Sequence, residues 1–393
     1  MRINTAAVSA IATSRAVISS RAIAVVSRAI AAVSSLVLVS SLVFSSLARA
    51  APKYEVDAAW PKSLPNNWIV GQVAGVAVDE QDHIWIVHRP RTLTDDEKAA
   101  TFNPPRTICC VPAPPVLEFD VDGNLLSSWG GPGAGYDWPV NEHGIHVDHK
   151  GFVWVGGNDE KNDHFILKFT KQGKFVLQIG KAGETRGSND TTSLGRPAHM
   201  EVDPATNEIF IADGYRNRRI IVFDADTGAY KRHWGAYGGK PDDTATPAYK
   251  AGQPASKQFA NPVHCARLSK DGFLYVCDRQ NDRVQVFKKD GTFVTEYFIA
   301  TNTLANGSVW DMALSSDPKQ KYLHIVDGAN NQVWTVLRAD GKVVNTFGRS
   351  GRSAGQFHWV HNVGIDSKGN LFTSEVDNGK RAQKFRVTGA IPD

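Results

Sequence analysis

A tight-turn signal that recurs between pairs of short apolar segments constrains the fold more than any other feature of this chain. It appears as Asp122-Gly123, Gln172-Gly173, Thr227-Gly228, Asp290-Gly291 and Asp340-Gly341. Another pair of strand-like segments precedes each turn, as in GIHVDHKGFVWV at 144–155. Units of four short strands that repeat every 40–50 residues or so are typical of a β-propeller. The pattern therefore predicts an all-β fold, a six-bladed β-propeller with four-stranded blades.

The six units are located by the starts of their first strands, which are predicted near Ala74, His143, His199, His264, Trp310 and His361. The last unit reaches its final turn at Thr388-Gly389 after three strands, so its fourth strand must come from elsewhere. We expect the segment YEVDAAWP at 54–61 to pair with the last blade and close the ring, which removes two exposed sheet edges. Two insertions, 90–115 and 236–256, are predicted to be loops that border a site.

The first fifty residues differ in composition from the rest of the chain. They contain no acidic residue, and four arginines precede an apolar run that ends in Ala48-Arg49-Ala50. This pattern predicts a signal peptide at 1–50 and a mature propeller at 51–393, exported to the periplasm or secreted and free of the membrane after cleavage. The alternative is a single membrane anchor, but the run is short and interrupted by serines.

Charge and cysteine content indicate which kinds of binding partner and which cellular compartment fit this chain. The formal net charge of +4 is small and scattered, which argues against nucleic-acid binding. Four cysteines are too few for a disulfide scaffold. Cys265 and Cys277 flank a short hairpin, so a bridge between them is possible in an oxidising compartment. Cys109 and Cys110 receive no predicted role.

Histidines recur in alternate units when the first strands are aligned on their last residues. One column of this alignment reads Ala74, His143, Ala198, His264, Trp310 and His361. First strands line the channel of a propeller, and alternate blades of a six-bladed ring stand about 120° apart. The three imidazoles of His143, His264 and His361 should therefore converge at one mouth, as in a zinc site that leaves a position open. A single such histidine is more often packed or solvated, and His199, one position off the column, is expected only to line the channel.

Residues that follow the second strands should surround the same mouth, because these strands run antiparallel to the first ones. Arg89, Tyr215 and Arg279 lie at such positions, and Glu375 occupies the corresponding place in the sixth unit. Two guanidinium groups beside a metal favour the binding of a carboxylate. Positive charge nearby also favours an ionised tyrosine, so Tyr215 is a candidate general base. Taken alone, a tyrosine at this position would more often be a packing residue.

The units resemble NHL repeats, as in DRQNDRVQVF at 278–287. More specifically, the chain resembles the lyase domain of peptidylglycine α-amidating enzymes, a six-bladed propeller. The likeness covers most of 68–388 and is strongest in VHRPR (87–91), EHGIHVD (142–148), ADGYRNRRIIVF (212–223), the stretch 261–287 and VHNVGID (360–366).

The resemblance implies a carbon–nitrogen lyase that splits a peptidyl-α-hydroxyglycine into a peptide amide and glyoxylate. It implies zinc ligands at His143, His264 and His361. It also implies that Tyr215 removes the hydroxyl proton while Arg89 or Arg279 holds the carboxylate of a peptide or small-molecule substrate. We expect a separate monooxygenase to supply this substrate, because the predicted propeller occupies the whole mature chain.

Two residues depart from the family pattern. Asn362 stands where the family has an aspartate that helps to bind a structural Ca²⁺, so calcium is expected to be weakly bound or absent. Arg216 replaces the cysteine beside the catalytic tyrosine, so the corresponding disulfide is missing.

Two other functions fit the same fold. A metal-dependent hydrolase such as a lactonase is one, although lactonase-type propellers favour Glu, Asp and Asn ligands for calcium over three histidines. A non-catalytic NHL propeller that binds a protein partner on its rim is the other, because a fold does not fix a function.

Overall fold

Strands of the chain pair into six antiparallel sheets of four strands each, and each sheet is one blade. The computed structural model describes residues 51–245 and 247–389, which belong to a single compact unit. This arrangement confirms the predicted all-β, six-bladed propeller. The predicted signal peptide at 1–50 lies outside the described residues and stays a prediction.

The first five blades take their strands in sequence order. The bounds are Gln72–Val78, Ile84–Arg89, Val116–Phe119 and Leu125–Trp129 in blade 1; Glu142–Val147, Phe152–Gly157, Phe165–Thr170 and Phe175–Gly180 in blade 2; His199–Asp203, Glu208–Asp213, Arg219–Asp224 and Tyr230–Trp234 in blade 3; Val263–Leu268, Phe273–Asp278, Arg283–Lys288 and Phe293–Phe298 in blade 4; and Asp311–Leu314, Tyr322–Asp327, Gln332–Leu337 and Val343–Phe347 in blade 5. First strands begin within two residues of their predicted starts.

The sixth blade combines both ends of the described chain. Its strands Val360–Ile365, Leu371–Glu375 and Arg381–Val387 are followed in the sheet by Tyr54–Asp57. Tyr54 pairs with Val387 and Asp57 with Lys384, in antiparallel register. The N-terminal segment thus supplies the fourth strand through its first four residues. Further along this segment, the Trp60 ring packs against Phe119 of blade 1 and Phe372 of blade 6, at 5.8 and 5.2 Å between ring centroids.

Apolar side chains fill the spaces between neighbouring blades. Between blades 3 and 4, for example, Phe210, Ile220, Phe259 and Val276 are fully buried in one cluster. Successive side chains of a strand point to opposite faces of its sheet, so apolar residues lie on both faces of a blade and every blade packs against two neighbours. The turn glycines at 123, 173, 228, 291 and 341 all have positive φ, a conformation that glycine adopts without steric cost.

The two insertions are largely irregular, as predicted. Residues 90–115 contain the 3₁₀ turns Pro90–Thr92 and Ala99–Thr101 and a short strand, Val111–Pro112, that pairs in parallel with Trp68–Ile69. The second insertion contains the 3₁₀ turn Ala236–Gly238, and a further 3₁₀ turn spans Arg279–Asn281. Among the described residues, no helix is long and apolar enough to cross a membrane.

Two disulfides are present. One joins Cys265 to Cys277, which face each other on the first two strands of blade 4. The other joins the sequence neighbours Cys109 and Cys110 in the first insertion, a pairing that the sequence had not indicated.

Candidate metal and catalytic site

Three histidines from alternate blades converge in the channel. Each of His143, His264 and His361 offers a ring nitrogen, and these nitrogens all lie within 4.8 Å of one another. Their ring centroids are separated by 4.7 to 5.2 Å. The structure therefore brings together the three histidines that the alignment of first strands singled out.

A backbone carbonyl fixes the orientation of each imidazole. The Nδ1 atom of His143 lies 2.8 Å from the Ala198 carbonyl, and that of His361 lies 2.7 Å from the Ala74 carbonyl. His264 makes the same contact with the Trp310 carbonyl. Since a carbonyl only accepts hydrogen bonds, Nδ1 carries the proton and Nε2 presents a lone pair. This is the tautomer in which a metal-binding histidine is usually held.

Burial keeps these imidazoles neutral. It is the main cause that holds the pKa of His143 and of His264 well below the ordinary value, and the neighbouring histidines lower it further. Burial, and then the charge of Arg89, lowers the pKa of His361 to about 3. All three side chains are therefore uncharged at neutral pH, as metal ligation requires.

The hydroxyl of Tyr215 lies between two of the free nitrogens. It is 2.9 Å from His143 Nε2 and 3.0 Å from His264 Nε2. Both nitrogens are acceptors, and a phenol carries one proton, so it can satisfy only one of them at a time. A buried centre with more acceptors than donors favours a cation. The three histidines therefore fit a divalent metal, and three imidazoles with an open position are typical of catalytic zinc.

A glycine allows Tyr215 to reach this position. A Cβ atom on Gly214 would lie 2.0 Å from the Val263 carbonyl oxygen, so only glycine lets the turn of blade 3 pass so close to blade 4. The Asn261 side chain fixes the turn by donating to the Gly214 carbonyl at 2.7 Å. Tyr215 is thereby held next to His264, the residue that follows Val263.

Arg279 is a buried cation without a matching anion. It lies directly after the second strand of blade 4 and is 6 % exposed. Its guanidinium stacks on Trp310 at 4.4 Å, and Nη1 is 3.4 Å from the Tyr215 hydroxyl. The buried Nε has no hydrogen-bond partner. Among the described residues no carboxylate forms an ion pair with Arg279, so this group is suited to bind an anion from outside.

Arg89 approaches the same mouth from blade 1 and is also buried. Its Nε donates to the Glu142 carbonyl at 2.7 Å, and Nη1 donates to Gln72 Oε1 at 2.8 Å. Both partners are neutral groups. Burial lowers the pKa of Arg89 to about 10, which leaves it charged at neutral pH.

Glu375 does not have the place expected for it. It is fully buried within blade 6, where it accepts hydrogen bonds from Arg381 at 2.7 Å and from the His358 backbone. The same pairing recurs in other blades as Asp213 with Arg219 and as Asp278 with Arg283. Glu375 is thus a structural residue, and the expectation that it lies at the rim is wrong. His199 is buried apart from the three-histidine centre and accepts from the Ala266 backbone.

Sequence reasoning missed Arg196 and Glu142. The guanidinium of Arg196 lies 5.4 Å from the centre of the Tyr215 ring. No pattern in a single sequence indicates this contact. Burial raises the pKa of Glu142, next to His143, to about 7. One of its carboxylate oxygens accepts from Trp138 at 2.9 Å, and the other is buried without a partner.

The calcium that the family resemblance implies does not fit this chain. Asn362 uses both ends of its side-chain amide, since Oδ1 lies 2.7 Å from His361 Nδ1 and Nδ2 donates to Asp311 at 2.9 Å. The guanidinium of Arg267 already occupies the Asp311 carboxylate.

Fold and site together define a six-bladed β-propeller with a candidate metal centre in its channel, and comparisons with known proteins show which proteins it resembles. No family model matches the chain. Peptidyl-glycine α-amidating monooxygenase B of Xenopus laevis is 29 % identical over 248 residues, which are 62 % of this chain and 25 % of that protein. The probable peptidyl-α-hydroxyglycine α-amidating lyase of Caenorhabditis elegans is 25 % identical over 321 residues, 78 % of this chain and 81 % of that protein. NHL repeat-containing protein 3 of Mus musculus is 26 % identical over 246 residues, 61 % of this chain and 58 % of that protein.

These relatives confirm the resemblance to amidating lyases and to NHL-repeat proteins. The match spans only about a quarter of the Xenopus protein.

Proposed function

We propose that this protein is a zinc-dependent carbon–nitrogen lyase that converts an α-hydroxyglycine-type substrate into an amide and glyoxylate. One observation carries the proposal: the Tyr215 hydroxyl contacts two candidate metal-ligand nitrogens and also the unpaired guanidinium of Arg279. A metal, a base and an anion-binding group are thus available within one buried mouth, and the names of the relatives point to the same reaction.

The two arginines bind the substrate carboxylate in this proposal. Arg279 has an unused buried Nε, and Arg89 is held only by neutral acceptors. Guanidinium groups bind carboxylates through paired, charge-assisted hydrogen bonds. A carboxylate between them orients the carbinol carbon of the substrate towards Tyr215 and the three histidines.

His143, His264 and His361 are the residues that would hold zinc. When bound, zinc supplies a Lewis acid that polarises the hydroxyl oxygen of the substrate. Tyr215, as the phenolate, takes the proton of this hydroxyl. The positive charges of Arg89 and Arg279 stabilise the phenolate before the proton arrives.

The reaction then balances without water or a redox partner. As the hydroxyl loses its proton, the C–O bond becomes a carbonyl and the C–N bond breaks. The electron pair of that bond stays on nitrogen, which takes up the proton returned by Tyr215. The products are an amide and glyoxylate, and Tyr215 is restored as the phenolate.

The setting of the enzyme is also part of the proposal. The substrate is a peptide or small molecule with a carboxylate, and a separate monooxygenase forms its hydroxyl group. The protein acts after export, secreted or in the periplasm, without nucleic acid or membrane attachment.

Glyoxylate release from a synthetic α-hydroxyglycine peptide tests this function in zinc-loaded protein. The methyl ester of the same peptide is the matched control, because it keeps the reacting bond and removes the negative charge. The peptide amide is the product common to both substrates, since the ester gives methyl glyoxylate in place of glyoxylate, and we expect the amide to form from the acid and much more slowly from the ester. Absence of the amide product from both, with hydrolysis of a lactone instead, would refute the lyase and favour the hydrolase.

A further inference from the structure

A second polar layer crosses the channel next to the three-histidine centre. Arg267 lies three residues beyond His264 on the first strand of blade 4, and Asn362 follows His361 in blade 6. Asp311 from blade 5 and Glu201 from blade 3 face Arg267. A cavity of about 200 Å³ reaches this layer and is lined in part by Arg267 and Glu201.

The carboxylate of Asp311 is completely engaged. Its Oδ2 accepts from Arg267 Nη2 at 2.6 Å, from Asn362 Nδ2 at 2.9 Å and from the Val363 backbone at 3.1 Å. Its Oδ1 accepts from Arg267 Nε at 3.1 Å. An ionised carboxylate offers about four acceptor positions, and four donors already contact this one.

Arg267 joins four blades through its guanidinium. Besides Asp311, it lies 3.8 Å from Glu201 and donates to the Val363 carbonyl at 3.2 Å. Two carboxylates and a backbone carbonyl around one positive charge are the oxygen ligands that calcium takes in proteins. Asn362 completes the arrangement, since a carboxylate at this position would face Asp311 at hydrogen-bond distance and repel it.

We propose that Arg267 is a built-in cation of the channel, which occupies the place of a calcium ion and makes this protein independent of calcium. Asn362 adds no negative charge to this layer and Arg267 supplies a positive one, so the carboxylates of the layer have a counter-ion within the chain. The inference concerns the channel layer alone and holds whether or not the protein is a lyase.

Calcium binding and thermal unfolding test the proposal. We expect the wild-type chain to bind no calcium-45 in equilibrium dialysis. We also expect its unfolding midpoint to be the same in millimolar calcium and in millimolar magnesium. Arg267→Met leaves Asp311 and Glu201 without a counter-ion, so its midpoint should fall by roughly 5–10 °C. Calcium, but not magnesium, should restore at least half of that loss.

Two variants serve as controls. Arg219→Met removes an arginine that is fully buried and paired with Asp213 at 2.9 Å, and it should lower the midpoint without a calcium-specific response. Arg267→Lys keeps the charge and should not respond to calcium. The proposal is overturned if the wild type binds about one calcium per chain, or if calcium rescues Arg267→Met no better than Arg219→Met. The wild-type measurement decides the matter even if Arg267→Met does not fold.

Discussion

Replacement of Tyr215 by phenylalanine should separate catalysis from metal binding. The substitution removes one oxygen and keeps the ring, with its edge contacts to His143 at 4.9 Å and His264 at 5.6 Å between centroids. In the metal-free chain the hydroxyl can donate one hydrogen bond, to His143 or to His264, and the net contribution of such a bond to stability is about 0.5–1.5 kcal/mol. The contact of this hydroxyl with Arg279 Nη1, at 3.4 Å, is long and weak. The variant should therefore fold and bind zinc as the wild type does.

Loss of the base should have a much larger effect on turnover. A positioned general base contributes about 100- to 10,000-fold to a rate, so kcat for glyoxylate release should fall by a factor in this range. The assay measures kcat, zinc content and unfolding midpoint on the same preparations. Tyr297→Phe is the matched control, because this hydroxyl donates to the Arg338 carbonyl outside the channel mouth. Wild-type kcat in zinc-loaded Tyr215→Phe would refute the proposed base, and a parallel loss of zinc would contradict the separation of catalysis from metal binding.

Three further substitutions test the anion site, a buried acid and the turn. Arg279→Gln should raise KM for the carboxylate substrate about 10- to 100-fold and leave the methyl ester unaffected, because a charge-assisted bond is worth about 1.5–3 kcal/mol. Asp282→Asn should stabilise the fold at pH 8 by about 1–3 kcal/mol, because Asp282 is fully buried with one oxygen unpaired. Gly214→Ala should lower both kcat and the unfolding midpoint, since its Cβ would collide with the Val263 carbonyl.

The raised pKa of Asp282 also predicts how the stability of the wild type and of Asp282→Asn should change with pH. Burial raises the pKa of Asp282 to about 7, whereas an unfolded aspartate titrates near 3.9 or so. Between these values the folded state binds more protons than the unfolded state, so wild-type stability should fall as pH rises from about 4 to 7. Urea unfolding across this range should show a smaller fall in the variant. An equal fall in both proteins would contradict the assignment to Asp282.

Much of the site could be predicted because strand geometry repeats. Turn glycines and alternating apolar residues locate the first strands, and equivalent positions on those strands lie at one level of the channel. This suffices to bring His143, His264 and His361 together without any knowledge of side-chain packing. Arg89, Tyr215 and Arg279 follow from the ends of the second strands in the same way.

The errors and omissions arise from contacts that are distant in sequence. The predicted rim position of Glu375 is wrong because the acidic residue that ends a second strand pairs with an arginine at the start of the third strand. The spacing of Asp213 to Arg219 and of Asp278 to Arg283 carries that signal. Arg267 could not be recognised, since its partner Asp311 lies 44 residues away and on another blade. Nor does the sequence show the carbonyls that orient the three imidazoles.

The zinc content of purified protein tests the central claim most directly. Elemental analysis of residues 51–393 would be compared with the variants His143→Ala, His264→Ala and His361→Ala. The account predicts about one zinc per chain in the wild type and a loss of zinc in all three variants. A wild-type chain that binds no metal even when zinc is supplied would contradict it, and the histidines would then only line the channel.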